Sequence, residues 1–569
     1  MPQLLPLTFR RPARIASLFL ACAVFSACKD KKGPDTVAVP PAPGGTIVIA
    51  TSTDASTMLP PLVSGIVDRQ VTDLLYDRLA DIGQNLNTVG DKDFTAQLAE
   101  RWEWATDSLS IVFFINPHAM WHDGQPVRAS DVRFSVKLMK DPSLGSPATA
   151  LLVNVDSVSV RDSVTAVAWF KRHTPEQFYD LVYQVPILPE HILSNTPVAQ
   201  LKTAEVGRRG IGSGRFRLDK WEPGQRIVLV SDNFNYRGRA KIDRVIFAIS
   251  PDFNAASTRF FAGDADLFEN LRVEQLPEIA KDTGKKTQRL PSLSYNYLAM
   301  NMIDPKNPGQ PHPIFGDRAV RRALTMAVDR RAMLKNVFDT IGQLAYGPFP
   351  HSMTVADTTL PQIPYDTAKA RALLDSAGWV AGPDGIRSKL GRRLAFSITT
   401  PSSSAARHSY AILLQEAFRK VGADVKLDES DFAGYLTRLT SHTFDTEMAN
   451  FSTDPSVSGF QQSWSTRFIG KDGQNHYSYS NPRVDAMLDS ATVAFDPARS
   501  KLYARHAFEA IMDDAPGIWL YEPPTIAGVH KRIRMVKLRA DAYFSGLADW
   551  WIPSNERIQR DVIGVGPTP

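Results

Sequence analysis

An enzyme of this kind of chain would carry a nucleophile, a metal set or a phosphate cradle at a readable spacing. The glycine-rich run Gly210-Ile211-Gly212-Ser213-Gly214 comes nearest. Its serine stands one place late for a GxSxG elbow and its glycines miss the GxGxxG spacing, so a sharp turn is the expected role. No P-loop and no HExxH occurs, so neither a nucleotide cradle nor a two-histidine zinc helix is predicted. The eleven histidines are scattered, and His118 and His122 share a loop without a third ligand. A structural role is expected for His122. Asp513-Asp514 pairs two carboxylates, but their place at a helix end predicts solvated acids rather than acid–base work. The two cysteines are Cys22 and Cys28. Both fall in the N-terminal leader or at its border, so the folded body is predicted to lack disulfides, thiolate metal sites and a cysteine nucleophile. These residues predict no enzyme, no metal and no cofactor.

The elements that would position any site alternate between strand and helix. Gly45-Thr46-Ile47-Val48-Ile49-Ala50 and residues 110–115 are apolar on both faces, as strands covered on both sides are. Residues 67–79 place Val67, Val71, Leu74, Leu75 and Leu79 at helical spacing. Ser130 is placed to cap a helix carrying Val132, Val136 and Met139, with Asp131 at its positive end. Strands are expected at 227–230 and 295–301. Val320, Leu324, Ala327 and Leu334 make one helical stripe, with Arg318, Arg321, Arg322, Arg330 and Arg331 on a solvated face. Asp366 caps a helix ending at Gly378, and a helix over 405–421 stops at Gly422 before a strand at 423–427. Helix-to-strand steps this short are typical of α/β units.

The chain has 569 residues and a net charge of +5, with 43% apolar and 22% charged residues. That composition excludes a disordered, coiled-coil or collagen-like chain. Three of the 65 basic residues, Arg10, Arg11 and Arg14, sit in the first 27 positions. The remainder is nearly neutral, which leaves no electrostatic footprint for nucleic acid. The apolar stretch at 15–27 behind those arginines is too short to span a bilayer and has the length of an export signal's apolar core. No later stretch reaches 18 apolar residues, so no span is predicted there. Phe25-Ser26-Ala27-Cys28 resembles a lipobox, although Leu is usual where Phe25 stands. The resemblance implies that Cys28 is acylated and that 28–43 is a lipidated N-terminus with a Pro/Ala-rich linker.

Leu98-Ala99-Glu100-Arg101-Trp102-Glu103 and then Trp121-His122-Asp123-Gly124-Gln125-Pro126-Val127-Arg128-Ala129-Ser130-Asp131-Val132 resemble the signature of the extracytoplasmic solute-binding proteins of peptide-type ABC importers, family 5. Further landmarks follow in the family's order: Leu188-Pro189-Glu190-His191-Ile192, Gly212-Ser213-Gly214-Arg215-Phe216, Tyr297-Leu298-Ala299-Met300-Asn301, then 317–329, 365–379 and 479–485. The resemblance implies an α/β, two-lobed periplasmic binding protein fold (type II, cluster C) with an additional inserted subdomain. It implies a signal peptide at 1–27, a first lobe from 44–70, 200–290 and 520–569, an inserted subdomain at 71–199, and a second lobe at 291–519. The chain would cross between lobes near Tyr297 and again near 519–524, with ligand held between the lobes.

The same resemblance carries the site. Residues 444–454 resemble the strand that ends in the ligand cleft, where an Asp at the position of Asp454 holds a peptide's α-ammonium. A cleft closing over an amine needs such a counter-charge. A plain turn residue before Pro455 is the other reading. Phe451, Ser452 and Thr453 would line the cleft; the family often has Trp at Phe451. Pro455-Ser456-Val457-Ser458-Gly459 replaces the usual acidic or Asn-containing tail. Ser64-Gly65 resembles the first-lobe loop that meets the ligand backbone. Trp464 is a candidate cleft wall and Arg407 a candidate partner for a ligand carboxylate, with core packing and a solvated helix start as the plainer readings. The implied function is a monomeric, lipid-anchored binder in the periplasm or at the cell surface, passing peptides to the permease subunits of an ABC importer. A different solute in the same fold (nickel chelate, haem or oligosaccharide) and an exported hydrolase are the alternatives.

Overall fold

In the computed structural model the described residues are 42–63, 65–470 and 473–562. The leader, Cys28, the linker up to residue 41 and Ser64 lie outside them.

Two sheets carry the architecture. A seven-stranded sheet runs in the order Lys285–Arg289, Ile526–His530, Leu267–Phe268, Thr46–Thr51, Arg244–Ile249, Arg226–Ser231, Phe216–Glu222. Thr46–Thr51, the apolar run at the start of the folded body, pairs in parallel with both Arg244–Ile249 and Leu267–Phe268. It sits in the interior because its residues are buried on both faces. A six-stranded sheet runs Gln343–Leu344, Gly517–Glu522, Ser294–Met300, Thr446–Ser452, Ala395–Pro401, Asp424–Ser430. Gly517–Glu522 is buried along its whole length. A four-stranded antiparallel sheet, Ala99–Trp104, Ser110–Ile115, Thr165–Phe170 and Val155–Asp162, is inserted between strands of the first sheet. Phe113 of this sheet and Phe178 of the helix Gln177–Val182 packed on it belong to one buried cluster with Tyr295, Tyr297, Trp464 and Trp519 of the six-stranded lobe.

The chain passes between the two large sheets twice, through 290–293 and through 523–525. The Leu290 amide donates to the Thr525 carbonyl at 2.9 Å, so the two passages run side by side. Tyr297, expected near the first crossing, instead lies within the strand Ser294–Met300 and is buried.

Local signals behave as capping chemistry predicts, with three corrections. The Asp366 carboxylate accepts from the Lys369 amide at 2.9 Å at the start of Thr367–Ser376. Helix Ala405–Arg419 gives way to Gly422 at φ +87°, a left-handed conformation that suits glycine. The first correction is that Ser130 lies inside helix Ala129–Met139; Asp131 does the capping, accepting from the Arg128 amide at 2.7 Å. Second, Leu79 falls beyond the helix Ile66–Leu75.

The third correction concerns the arginine stripe. It is two helices, Arg318–Met326 and Arg330–Phe338; Arg318 and Arg331 are exposed as expected, but Arg321 is buried and Arg322 and Arg330 are half-buried. Helix Pro497–Asp514 ends against them and exposes carbonyls that need donors. Arg321 donates to the Asp514 carbonyl at 3.0 Å and to that of Phe315 at 2.8 Å. Arg322 donates to the Asp513 carbonyl at 2.7 Å. Arg330 donates to the Trp519 carbonyl at 3.1 Å, and burial pushes it down to about 10. The acids at that helix end are held too. Asp513 pairs with Arg318 and Arg322, and Asp514 accepts from Tyr479 at 2.7 Å and Asn481 at 2.6 Å.

The last described helix is locked to the first strand. Arg532 lies between Asp266 and Asp561, all three nearly inaccessible. Asp561 accepts in turn from the Thr46 amide at 2.8 Å. A buried charge requires such pairing.

Candidate functional site

Where the two crossings run together, they floor a cavity of about 710 Å³. Ser292 and Leu293 come from the first crossing, Ser294 from the strand that follows it, and Pro523 and Thr525 from the second. One wall is the helix Ile66–Leu75 of the first lobe, presenting Ile66, Arg69, Thr72 and Asp73. Another wall is the end of strand Thr446–Ser452 and the residues after it, presenting Ser452, Thr453 and Asp454. A volume in the range of roughly 300–1,000 Å³ suits a small ligand. A second cavity of about 350 Å³ adjoins the first between the same helix and residues 540–545, sharing Ile66, Arg69, Asp73, Asp541 and Tyr543 with it.

The strand end is pinned by the Thr453 amide donating to the Leu293 carbonyl at 3.2 Å. Asp454 follows directly. Its carboxylate accepts from the Ser456 amide at 2.9 Å and from Gln184 Nε2 at 3.3 Å. No described basic side chain forms an ion pair with it. Burial raises its pKa above the usual carboxylate range, against those hydrogen bonds and the neighbouring Arg69 charge. Two further acids stand behind it. Glu176 accepts from Ser456 Oγ at 2.8 Å and from Thr88, and burial raises it as well. Asp180 is raised by burial and then by the charges of Glu176 and Asp454. The site therefore gathers three acids raised by burial, with no ion-paired cation among the described residues, an arrangement suited to a cationic group on a ligand.

Strand alternation sorts the other expected residues. With Ser452 facing the cavity, Phe451 points to the opposite face. It is 3% exposed, with its ring 4.9 Å from Tyr295 and 5.5 Å from Phe460. Trp464 is fully buried among Tyr297, Tyr477 and Trp519. Both are core residues away from the cavity. Arg407, in the first turn of helix Ala405–Arg419, donates to the Met448 carbonyl at 3.4 Å and lies over the Tyr435 ring. It does not line the cavity. Gly65 stands at the N-terminus of helix Ile66–Leu75 and lines the smaller, adjoining cavity. Ser64 is outside the described residues. Thus Ser452, Thr453 and Asp454 come together, Gly65 lies next door, and Phe451, Trp464 and Arg407 are elsewhere.

The sequence did not point to Arg69, Glu176 or Gln184. Nothing distinguishes Arg69 from a solvated charge on an amphipathic helix, and Gln184 reaches Asp454, and Glu176 the nearby Ser456, from 270 and 280 residues upstream. His122 takes the structural role expected of it. Its Nδ1 accepts from the Gly212 amide at 3.1 Å and its Nε2 donates to the Gly214 carbonyl at 3.0 Å. Burial lowers its pKa, disfavouring the charged imidazolium. Gly212 is required there, because a Cβ would lie 1.9 Å from the Leu75 carbonyl oxygen. Among the described residues no group of three or more His, Cys, Asp or Glu is placed to hold a metal. Nor is any described helix long and apolar enough to cross a membrane.

The family described as bacterial extracellular solute-binding proteins, family 5 Middle, matches residues 93–470. This chain belongs to that family. Family 5 members are transport-associated binders, so the hydrolase alternative falls away. Among curated relatives, the oligopeptide-binding protein AppA of Bacillus subtilis (strain 168) is 26% identical over 549 residues, covering 94% of this chain and 98% of AppA. The solved structure of B. subtilis AppA in complex with a nonapeptide superposes with a TM-score of 0.69 at 25% identity, covering 90% of this chain and 99% of that one. NikZ from Campylobacter jejuni, solved in complex with Ni(L-His), superposes with a TM-score of 0.71 at 23% identity, covering 90% and 100%. The two-lobed periplasmic binding protein fold of the family is the fold of this chain.

Proposed function

We propose that this family 5 protein captures peptides between its lobes and delivers them to the permease subunits of an ABC importer. The observation that carries the reading is the Asp454 carboxylate, without an ion pair to any described basic side chain and set just past a strand end on the cavity wall. A peptide's α-ammonium supplies the missing charge. Its main chain finds partners in the polar rim of Ser292, Ser294, Ser452 and Thr453. Hydrogen bonds of that kind ignore side-chain identity, which suits a binder of many peptides. The paired crossings at 290–293 and 523–525 are the hinge about which the lobes close. The likeness to AppA supports a peptide ligand.

The test is thermal melting of the purified protein against di- to pentapeptide pools, free and N-acetylated. Ligand that binds the folded form raises the melting point. A rise with free pools that acetylation abolishes is the expected result. A rise with nickel–histidine and none with either pool would redirect the assignment to a metal chelate, the ligand in the NikZ structure.

On the same reading the protein works as a monomer outside the cytoplasm, exported by 1–27 and tethered through an acylated Cys28. Radiolabelled palmitate should enter the wild type and not Cys28→Ala, which should leave the membrane fraction. Equal labelling of both would refute the anchor.

A further inference from the structure

Asp454 is followed by Pro455-Ser456-Val457-Ser458-Gly459, and this stretch folds back on the strand end. Gly459 lies so close to Thr453 that a Cβ there would stand 2.2 Å from Thr453 Oγ1. Ser456 is buried and divides its polar groups between two acids. Its amide donates to the Asp454 carboxylate at 2.9 Å. Its hydroxyl donates to the Glu176 carboxylate at 2.8 Å. The Ser458 hydroxyl at 2.7 Å and the Ser458 amide at 3.1 Å complete that hydroxyl's partners. Glu176 stands just before the helix Gln177–Val182 yet makes no capping hydrogen bond to it. Its carboxylate instead accepts from Thr88 Oγ1 at 2.5 Å and from the Val457 amide at 3.4 Å, and Thr88 and Val457 are buried too. The segment that carries Glu176 is held independently. The Gly90 amide donates to the Pro175 carbonyl at 2.9 Å, and Gln177 Nε2 donates to the Ser108 carbonyl at 2.8 Å. Glu176 is thus a fixed acceptor for a turn whose amide holds the acid on the cavity wall.

We propose that Glu176 is a positioning residue for peptide binding, fixing through Ser456 the turn that holds the Asp454 carboxylate on the cavity wall. This rests on the peptide reading above, with Asp454 as the partner of the ligand's ammonium. A charge-assisted hydrogen bond weakens steeply as its angle and length depart from the optimum, so its strength depends on how firmly the carboxylate is held. A binding group keeps its direction when the residues around it are themselves locked by packing and hydrogen bonds. Here the lock is the Glu176–Ser456 contact, which ties the segment before the helix Gln177–Val182 to the six-stranded lobe across 280 residues of sequence. Without the Glu176 carboxylate, the buried hydroxyls of Thr88 and Ser456 and the Val457 amide all lose an acceptor. Leaving them unsatisfied is costly. Finding new acceptors requires the turn to move, and Asp454 moves with it. Ser292 and Ser294, on another segment of the chain, keep their place on the cavity wall.

A double-substitution cycle tests this by calorimetric titration with free tri-, tetra- and penta-alanine. Glu176→Ala should weaken the tightest of these peptides by about tenfold to a hundredfold, the range for partners that orient metal ligands. In an Asp454→Asn background the same substitution should change affinity by no more than about twofold, because it acts through Asp454. Ser456→Ala should repeat the loss, since it removes the link and keeps the amide. Glu176→Gln should stay within about threefold of wild type, because its carboxamide oxygen still accepts and its nitrogen can donate to a hydroxyl. Should Glu176→Ala fail to fold by its melting curve, Ser456→Ala carries the same cycle. The proposal falls on any of four results. Equal losses in both backgrounds would make the role of Glu176 structural only. Glu176→Gln as weak as Glu176→Ala would place the effect in its charge rather than in its grip on the turn. Ser456→Ala without effect would break the link while the peptide reading stands. Affinity left unchanged by Asp454→Asn, or no binding of any of these peptides to wild type, removes the peptide reading and this proposal with it.

Discussion

Replacing Asp454 by Asn removes one negative charge and almost no volume. The remaining carbonyl oxygen can still accept from the Ser456 amide, and the Gln184 amide can turn to match the new donor. What is lost is the counter-charge for a ligand ammonium. Truncating one member of a desolvated charge pair costs about 2–5 kcal/mol, so the affinity for a free-amine peptide should fall about 30- to 4,000-fold. The same substitution should act in the opposite direction on the empty protein. Burial raises the pKa of Asp454, so folding disfavours its charged form. An acid whose pKa is raised in the folded state costs stability above that pKa and nothing below its unfolded value of about 3.9. Ligand-free Asp454→Asn should therefore melt above the wild type at neutral pH. The difference should shrink as pH falls through the raised pKa and vanish below the unfolded one. Asp180 is raised partly by the Asp454 charge and should relax with it. Calorimetric melting across pH, paired with peptide titration, reads both effects. Unchanged affinity for free peptides, or a ligand-free variant that melts below the wild type at neutral pH, would refute the reasoning.

Two further substitutions test the frame. Arg532→Met leaves Asp561 buried without its cation and Asp266 with Arg560 alone, which should cost about 3–5 kcal/mol and lower the melting point accordingly; a change within error would show that the lock is idle. Trp464→Ala empties a fully buried site and should cost about 3–5 kcal/mol of stability. The dependence of binding on the free amine should survive it, whereas a selective loss of binding without destabilisation would return Trp464 to the cleft wall.

The parts of the fold that were legible are those fixed by local chemistry. The strand Thr46–Thr51 is apolar at consecutive positions because both faces are covered, whereas Ser110–Ile115 buries Ile111, Phe113 and Ile115 on one face and leaves Val112 and Phe114 half-buried on the other. Asp366 and Gly422 mark helix ends because backbone groups there need a side-chain acceptor or a left-handed residue. Arg321 and Arg330 do not follow the expected solvated face, because a buried Arg has the same sequence signature as a solvated one. The carbonyls that bury Arg321 and Arg330 belong to residues about 190 positions away. The site was legible where one strand carries it. Ser452, Thr453 and Asp454 are consecutive, and a family resemblance reaches them together. Phe451 was separable by the two-residue period of a strand once Ser452 faced the cavity. Arg69 and Glu176 were not separable, because only the closure of distant segments brings them to Asp454.

The central claim is that Asp454 is the cation-binding end of a peptide site between the lobes. A crystal structure of the protein with a tight-binding free peptide tests it most directly. The account predicts the peptide between the helix Ile66–Leu75 and the end of strand Thr446–Ser452, with its α-ammonium nitrogen within hydrogen-bonding distance of the Asp454 carboxylate. A peptide seated elsewhere, or one whose amine points to solvent while Asp454 keeps only Gln184 and Ser456, would contradict it.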